Sequence, residues 1–184
     1  MRRVVVTGLL CCLALLLTHG VFAKEQPKKA VNLDAMVKDI APFEYVCREF
    51  TGPYTGFPKG EVAFLDEFKK SGIKATGPEV ALYWNSPLYV KPEALKWDIG
   101  YPVAGGQKKK GNLTVKKFDF KKVAVATHKG PYATTYLTIG ALYEWIAAKK
   151  LQTVGGPCVE SYMDANPDKV PDDKKVTEIW VPVK

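Results

Sequence analysis

Glu178 and Trp180 stand two residues apart in the run Thr177-Glu178-Ile179-Trp180-Val181-Pro182-Val183. A carboxylate among aromatic rings is poorly solvated, so it either takes up a proton or waits for a cation. A cation over an aromatic face gains about 0.5–2 kcal/mol. Tyr162, Tyr83, Tyr132 and Phe50 are available as flat walls, with His128 as a further polar group. Such a set suits flat, lipophilic, positively charged organic molecules. The competing role for Glu178 is an ion pair with a basic side chain of the same chain, Arg48 or Lys96.

Positioning these residues falls to a unit written twice. Segments 42–103 and 120–183 align in order: Gly52-Pro53-Tyr54 with Gly130-Pro131-Tyr132, Gly77-Pro78 with Gly156-Pro157, Tyr83 with Tyr162, Trp97-Asp98-Ile99 with Thr177-Glu178-Ile179, and Pro102-Val103 with Pro182-Val183. Two long copies indicate a paired domain, not a repeat array. Each unit reads strand, helix, strand, strand. In the second copy Lys122 to His128 is β-branched and small, hence strand. Ile139, Leu142, Tyr143, Ile146 and Ala147 then recur at helical spacing, and Val159 to Met163 and Val176 to Val183 are strands. In the first copy Val62, Leu65 and Phe68 give the helix stripe, Gly72 ends it, and Leu82 to Trp84 and Trp97 to Val103 are strands. The spacing of Leu33, Met36, Val37 and Ile40 predicts a short helix before the first copy. The expected fold is α+β: an antiparallel sheet with two helices on one face and a central groove.

Alternation along strands assigns the faces. Trp97, Ile99, Tyr101 and Val103, with Thr177, Ile179, Val181 and Val183, are expected to face the helices. So are Val80, Leu82, Trp84, Val159, Met163, Val123 and Val125. The opposite face then gathers Glu178, Trp180, Glu160, Tyr162, Ala81, Tyr83, Ala124, Ala126, His128, Val46, Arg48 and Phe50 around a groove. Cys47 and Cys158 fall on opposite faces, which argues against a disulfide between them.

Residues 1–23 read as a signal peptide. Arg2 and Arg3 precede an apolar run from Val4 to Leu17, and Val21-Phe22-Ala23 fits a cleavage site after Ala23. That run is shorter than the roughly 20 residues of a spanning helix, so no stable membrane span is expected after cleavage. The product is expected to be periplasmic or secreted, with an N-terminal segment 24–41, a first repeat 42–103, a linker 104–114 and a second repeat 115–184. The net charge of +8 falls to +6 once Arg2 and Arg3 are lost, and the lysines are scattered, so nucleic acid is not an expected partner. No cysteine or histidine pair has metal-ligand spacing, and neither metal nor cofactor is expected. The expected partner is a small molecule.

His128-Lys129-Gly130-Pro131-Tyr132, the helix around Leu142 to Ile146, Gly156-Pro157, Glu160-Ser161-Tyr162 and the run 177–183 resemble the gyrase-inhibitor-like (GyrI-like) family, which includes effector-binding domains of AraC-type and multidrug-sensing regulators. The resemblance implies two strand–helix–strand–strand units with pseudo-twofold symmetry and a small-molecule groove. It implies an acid at Glu178 contacting cationic, lipophilic ligands, with Tyr132, Tyr162 and Trp180 at pocket or turn positions. The chain departs from the regulators in carrying a signal peptide and no helix-turn-helix segment. A second reading is a hydrolase of reactive cyclopropane-type compounds with Glu178 as the base, assisted by Tyr162 or His128. A third is haem binding through His128, from similarity to the duplicated architecture of the SOUL family.

Overall fold

The computed structural model describes residues 33–184, so the expected signal peptide 1–23 lies outside the described residues. The chain is α+β. Its elements are β1 (Ala35–Asp39), β2 (Phe43–Thr51), α1 (Phe57–Ser71), β3 (Glu79–Tyr83), β4 (Lys96–Val103), β5 (Thr114–Phe118), β6 (Lys122–Lys129), α2 (Thr135–Ala148), β7 (Cys158–Tyr162) and β8 (Val176–Pro182). All eight strands form one antiparallel sheet in the order β1-β6-β8-β7-β3-β4-β2-β5.

The duplicated unit is one strand longer than expected from the sequence. Residues 33–40 do not form a helix. Residues 35–39 are β1, paired along their length with β6. A run this short cannot nucleate a helix on its own, whereas ladder bonds to β6 satisfy its backbone. The counterpart of β1 is β5, 79 residues further on (Thr114 against Ala35). Each leading strand pairs with the other copy: β1 lies on β6 and β5 lies on β2. The two repeats therefore exchange their first strands.

Helix α1 begins at Phe57-Pro58, where proline is preorganised for a first turn, and stops at Gly72 with φ 71°, a left-handed conformation that favours glycine. Its inward side is Phe57, Gly60, Phe64 and Phe68 rather than the stripe read from the sequence, because Val62 and Leu65 are exposed. Helix α2 buries Thr135, Thr138, Leu142 and Ile146.

Both faces of the sheet are buried, which is why the face assignment fails for β2, β3, β6 and β7 and holds for β4 and β8. Under the helices lie two separate clusters. Val46, Trp97, Ile99 and Val103 pack on Phe64 of α1. Ala124, Ala126, Ile179 and Val181 pack on Leu142 and Ile146 of α2. The other face holds a single cluster of Tyr45, Cys47, Val80, Leu82, Phe118, Val123, Val125 and Val159. Only residues 119–121 link β5, at one edge, to β6, near the other. The sheet therefore bends back on itself, and Phe118 of β5 reaches Trp180 of β8 with ring centroids 6.2 Å apart. The apolar sets of β3, β6 and β7 belong to this inner face, and their alternate residues turn to the helices.

Candidate functional site

Register decides which side chains share a face. Ser161 pairs with Glu178, and Val159 with Trp180. Glu178 and Trp180 therefore point to the inner face, while Glu160 and Tyr162 point to the helices. This corrects the expected grouping of Glu178 with Tyr83 and Tyr162. Glu178 is half-buried and accepts the Trp180 indole N–H at 3.0 Å. Neither Arg48 nor Lys96 is its partner: Arg48 binds Glu67 of α1 at 2.8 Å. Asp98, its counterpart in the first copy, is 2% exposed and takes bonds from Trp84 (2.8 Å), Lys116 (2.9 Å) and Tyr45 (3.3 Å). The inner-face acids are thus engaged with their own chain.

The helix face carries a different constellation at the centre of the sheet. Strands β3 and β7 run side by side there, with Glu79 opposite Tyr162, Ala81 opposite Glu160, and Tyr83 opposite Cys158. Glu160 is 5% exposed. Its Oε2 accepts the Tyr162 hydroxyl at 2.8 Å and the Tyr83 hydroxyl at 3.5 Å, so one tyrosine from each copy converges on one carboxylate. Burial pushes the Glu160 carboxyl above the usual range. Bonds from Tyr162, Thr135 and Tyr83, and the nearby His128, oppose that shift without cancelling it. Among the described residues, no lysine or arginine pairs with this carboxylate.

The two Gly-Pro-Tyr turns supply the ends of this site. Gly52 and Gly130 adopt φ of 119° and 136°, a region that side-chain-bearing residues rarely enter. Each then leads through proline into a single 3-10 turn that starts at the tyrosine. Tyr54 meets Tyr83 edge-on at 4.8 Å and binds the Asn85 carbonyl. Tyr132 meets Tyr162 at 4.9 Å and donates to Asp164 at 3.2 Å. Phe57 of α1 stands edge-on to Tyr162 at 6.2 Å. The result is a carboxylate flanked by aromatic rings from both copies, on the helix-bearing side of the sheet.

The two ends of the site differ. At the end beside Tyr162, Glu79 accepts the Tyr101 hydroxyl at 2.9 Å and is raised to about 7 by burial and by Glu61 of α1. At the corresponding place in the other half stands Cys158, a free thiol that burial raises. Cys47, the other free thiol, belongs to the inner face.

The remaining expected site residues are helix-facing but structural in their contacts. Phe50 stacks on Trp97 at 4.2 Å beneath Gly60. His128, its counterpart, binds Thr138 Oγ1 at 2.8 Å, Thr134 Oγ1 at 3.1 Å and the Pro131 carbonyl at 3.2 Å. Thr134 already donates to that carbonyl at 2.8 Å, so the Nε2 of His128 faces two acceptors and carries the proton. Glu160, Tyr54, Thr135 and Glu79 belong to this constellation and were not among the expected site residues. Tyr54 alone had a local sequence signal, its Gly-Pro-Tyr turn. Among the described residues, no group of acids, cysteines and histidines could hold a metal, and no helix is long and apolar enough to cross a membrane.

A sequence profile described as the GyrI-like small molecule binding domain matches residues 34–184. No curated protein matches the chain. Solved structures share the fold. The EcmrR C-terminal domain has a TM-score of 0.71 at 22% identity, over 84% of this chain and 99% of that one. EcmrR in its DNA complex has a TM-score of 0.70 at 21% identity, over 83% of this chain but only 57% of its own length. SAV2435 bound to tetraphenylphosphonium has a TM-score of 0.57 at 14% identity, over 82% of this chain and 94% of that one. A hydrolase from Listeria innocua has a TM-score of 0.59 at 12% identity, over 82% of this chain and 91% of that one.

Proposed function

Since the chain belongs to the GyrI-like family of small-molecule binding domains, we propose that it binds amphipathic organic cations between its two helices, with Glu160 as the buried countercharge. One observation carries this reading: Glu160 is 5% exposed, ringed by hydroxyl donors, and without a lysine or arginine partner among the described residues. Taking a carboxylate out of water is costly unless a positive group joins it. A bound cation supplies that charge, and the rings of Tyr83, Tyr162, Tyr54 and Tyr132 offer it cation–π contact. Because hydroxyls already occupy Oε2 of Glu160, a delocalised cation that makes no hydrogen bonds suits the site. The fold neighbour SAV2435, crystallised with tetraphenylphosphonium, is consistent with that class.

Titrating the protein with tetraphenylphosphonium and with a cationic dye tests the reading. Glu160→Gln should weaken binding at least about tenfold, the order expected for losing one poorly screened charge pair. Equal affinity in wild type and variant would overturn the role of Glu160.

The charged start, apolar run and cleavage-site pattern of residues 1–23 support a location of the mature protein outside the cytoplasm. A mature N-terminus at Lys24 in an extracytoplasmic fraction is the expected result. An intact Met1 terminus in the cytoplasm would refute it.

Hydrolysis of reactive electrophiles is the second reading, and its base moves from Glu178 to Glu160. A raised carboxyl beside two tyrosines is the feature that favours it. Turnover abolished in Glu160→Gln would support it, whereas saturable binding without turnover would leave the binding reading alone.

A further inference from the structure

Lys175 is an ammonium already seated on the aromatic run that leads to Glu160. It lies immediately before β8, and its Nζ stands 4.7 Å from the centroid of the Tyr132 ring, within cation–π range. Its side chain is only 17% exposed, and it is tethered by Asp172 at 2.8 Å. The Tyr132 ring meets Tyr162 at 4.9 Å, and Tyr162 donates to Glu160. Ring to ring, the resident ammonium is thus connected to the Glu160 carboxylate.

The acids at this end explain why a cation rests there. Asp164 accepts the Tyr132 hydroxyl, and Glu61 and Glu79 interact across α1 and β3. Lys175 acts on Glu61 in the lowering direction, against the burial that raises it. At the other end of the site the place of Lys175 is taken by Leu95 of the first copy, 3% exposed and apolar, and the place of Glu79 by Cys158 of the second. In these two places the end beside Tyr54 accordingly offers a second positive charge an apolar side chain and a thiol, and the end beside Tyr132 offers acids whose cation is built in.

We propose that Lys175 is a specificity-determining residue that restricts the site to ligands carrying one positive charge. The inference rests on the assignment of Glu160 as the countercharge. An elongated dication anchored at Glu160 meets the resident ammonium in one direction and a neutral wall in the other. With the ammonium removed, the ring of Tyr132 and the acids beside it become a second cation subsite.

Affinities of tetraphenylphosphonium and of a bis-quaternary ammonium dye, its charges joined by a flexible chain, test this in wild type, Lys175→Met and Lys175→Arg. The titrations are run at pH 8, above the range where Glu79 takes up a proton. Lys175→Met should leave the single-charge probe within about twofold and tighten the double-charge probe about tenfold, as removing one like charge a few ångströms away predicts. Lys175→Arg should keep the wild-type ratio. An unchanged ratio in Lys175→Met overturns the inference while leaving Glu160-dependent binding of the single-charge probe intact. Loss of that Glu160 dependence overturns the underlying assignment and this inference with it.

Discussion

Ala81 and Glu160 face each other across the β3–β7 ladder, and they are also counterparts in the two repeats. The pseudo-twofold axis therefore passes between a methyl group and a carboxylate. Were both positions acidic, two like charges would be forced together in a buried place. Because one is alanine, a single carboxylate can lie on the axis and take a tyrosine hydroxyl from each side. Ala81 is fully buried. Ala81→Leu should cost about 1–3 kcal/mol through overpacking, and should crowd Glu160 enough to weaken cation binding about tenfold. Urea unfolding and a dye titration on the same sample check both.

Glu178 gives the contrasting case. It sits on the opposite face from Glu160 and is bonded to Trp180. Glu178→Gln keeps a side-chain oxygen for that indole. It should leave the affinity for tetraphenylphosphonium within about twofold of wild type, the scatter expected for a charge behind the sheet. A loss comparable to that of Glu160→Gln would contradict the face assignment.

Glu79 should make stability depend on pH in an unusual direction. Its carboxyl is raised from an ordinary 4.5 to about 7 in the folded chain, first by burial and then by Glu61. Between those values the folded state binds more protons than the unfolded one, so stability falls as pH rises. The favourable contribution is complete below about 4.5, declines through about 7, and is gone above it. Such a shift amounts to about 3 kcal/mol at most. Glu79→Gln should flatten this part of the stability–pH profile measured by chemical denaturation. A profile identical to wild type would rule Glu79 out as its source.

Gly60 is required by the aromatic stack beneath α1. A Cβ there would lie 2.9 Å from the Trp97 ring and 3.0 Å from Phe50. Neither ring can retreat easily, because they stack on each other at 4.2 Å. Gly60→Ala should therefore destabilise by about 1–3 kcal/mol despite the better helix propensity of alanine. Thermal unfolding checks this, and an unchanged midpoint would show that the stack yields.

The duplication, the helices and six of the strands were legible because they leave local signals: paired Gly-Pro-Tyr turns, helical spacing, and β-branched runs. The site was legible in its ingredients but not in its assembly. Tyr83, Tyr162 and Tyr132 do meet around an acid, yet the acid is Glu160 and not Glu178. Alternation along β7 separates Val159 from Glu160 but does not say which residue looks toward the helices. In a sheet buried on one side, the apolar set answers that question. Here Val80, Leu82 and Val159 fill a second core on the inner face, so apolarity points away from the helices as readily as toward them. The leading strands were missed for a related reason. Met36 and Val37 are exposed on a five-residue edge strand, and their pairing with β6, some 90 residues away in sequence, leaves no trace in the local pattern.

That pairing has its own corollary. Since β1 completes the edge beside β6 and β5 completes the edge beside β2, neither half owns a finished sheet. A protease nick between β4 and β5 would leave two fragments still clasped by each other's arms. The same arrangement is what two identical single-unit chains would form by trading N-terminal arms, with the 104–113 connection doing no more than making the partnership permanent.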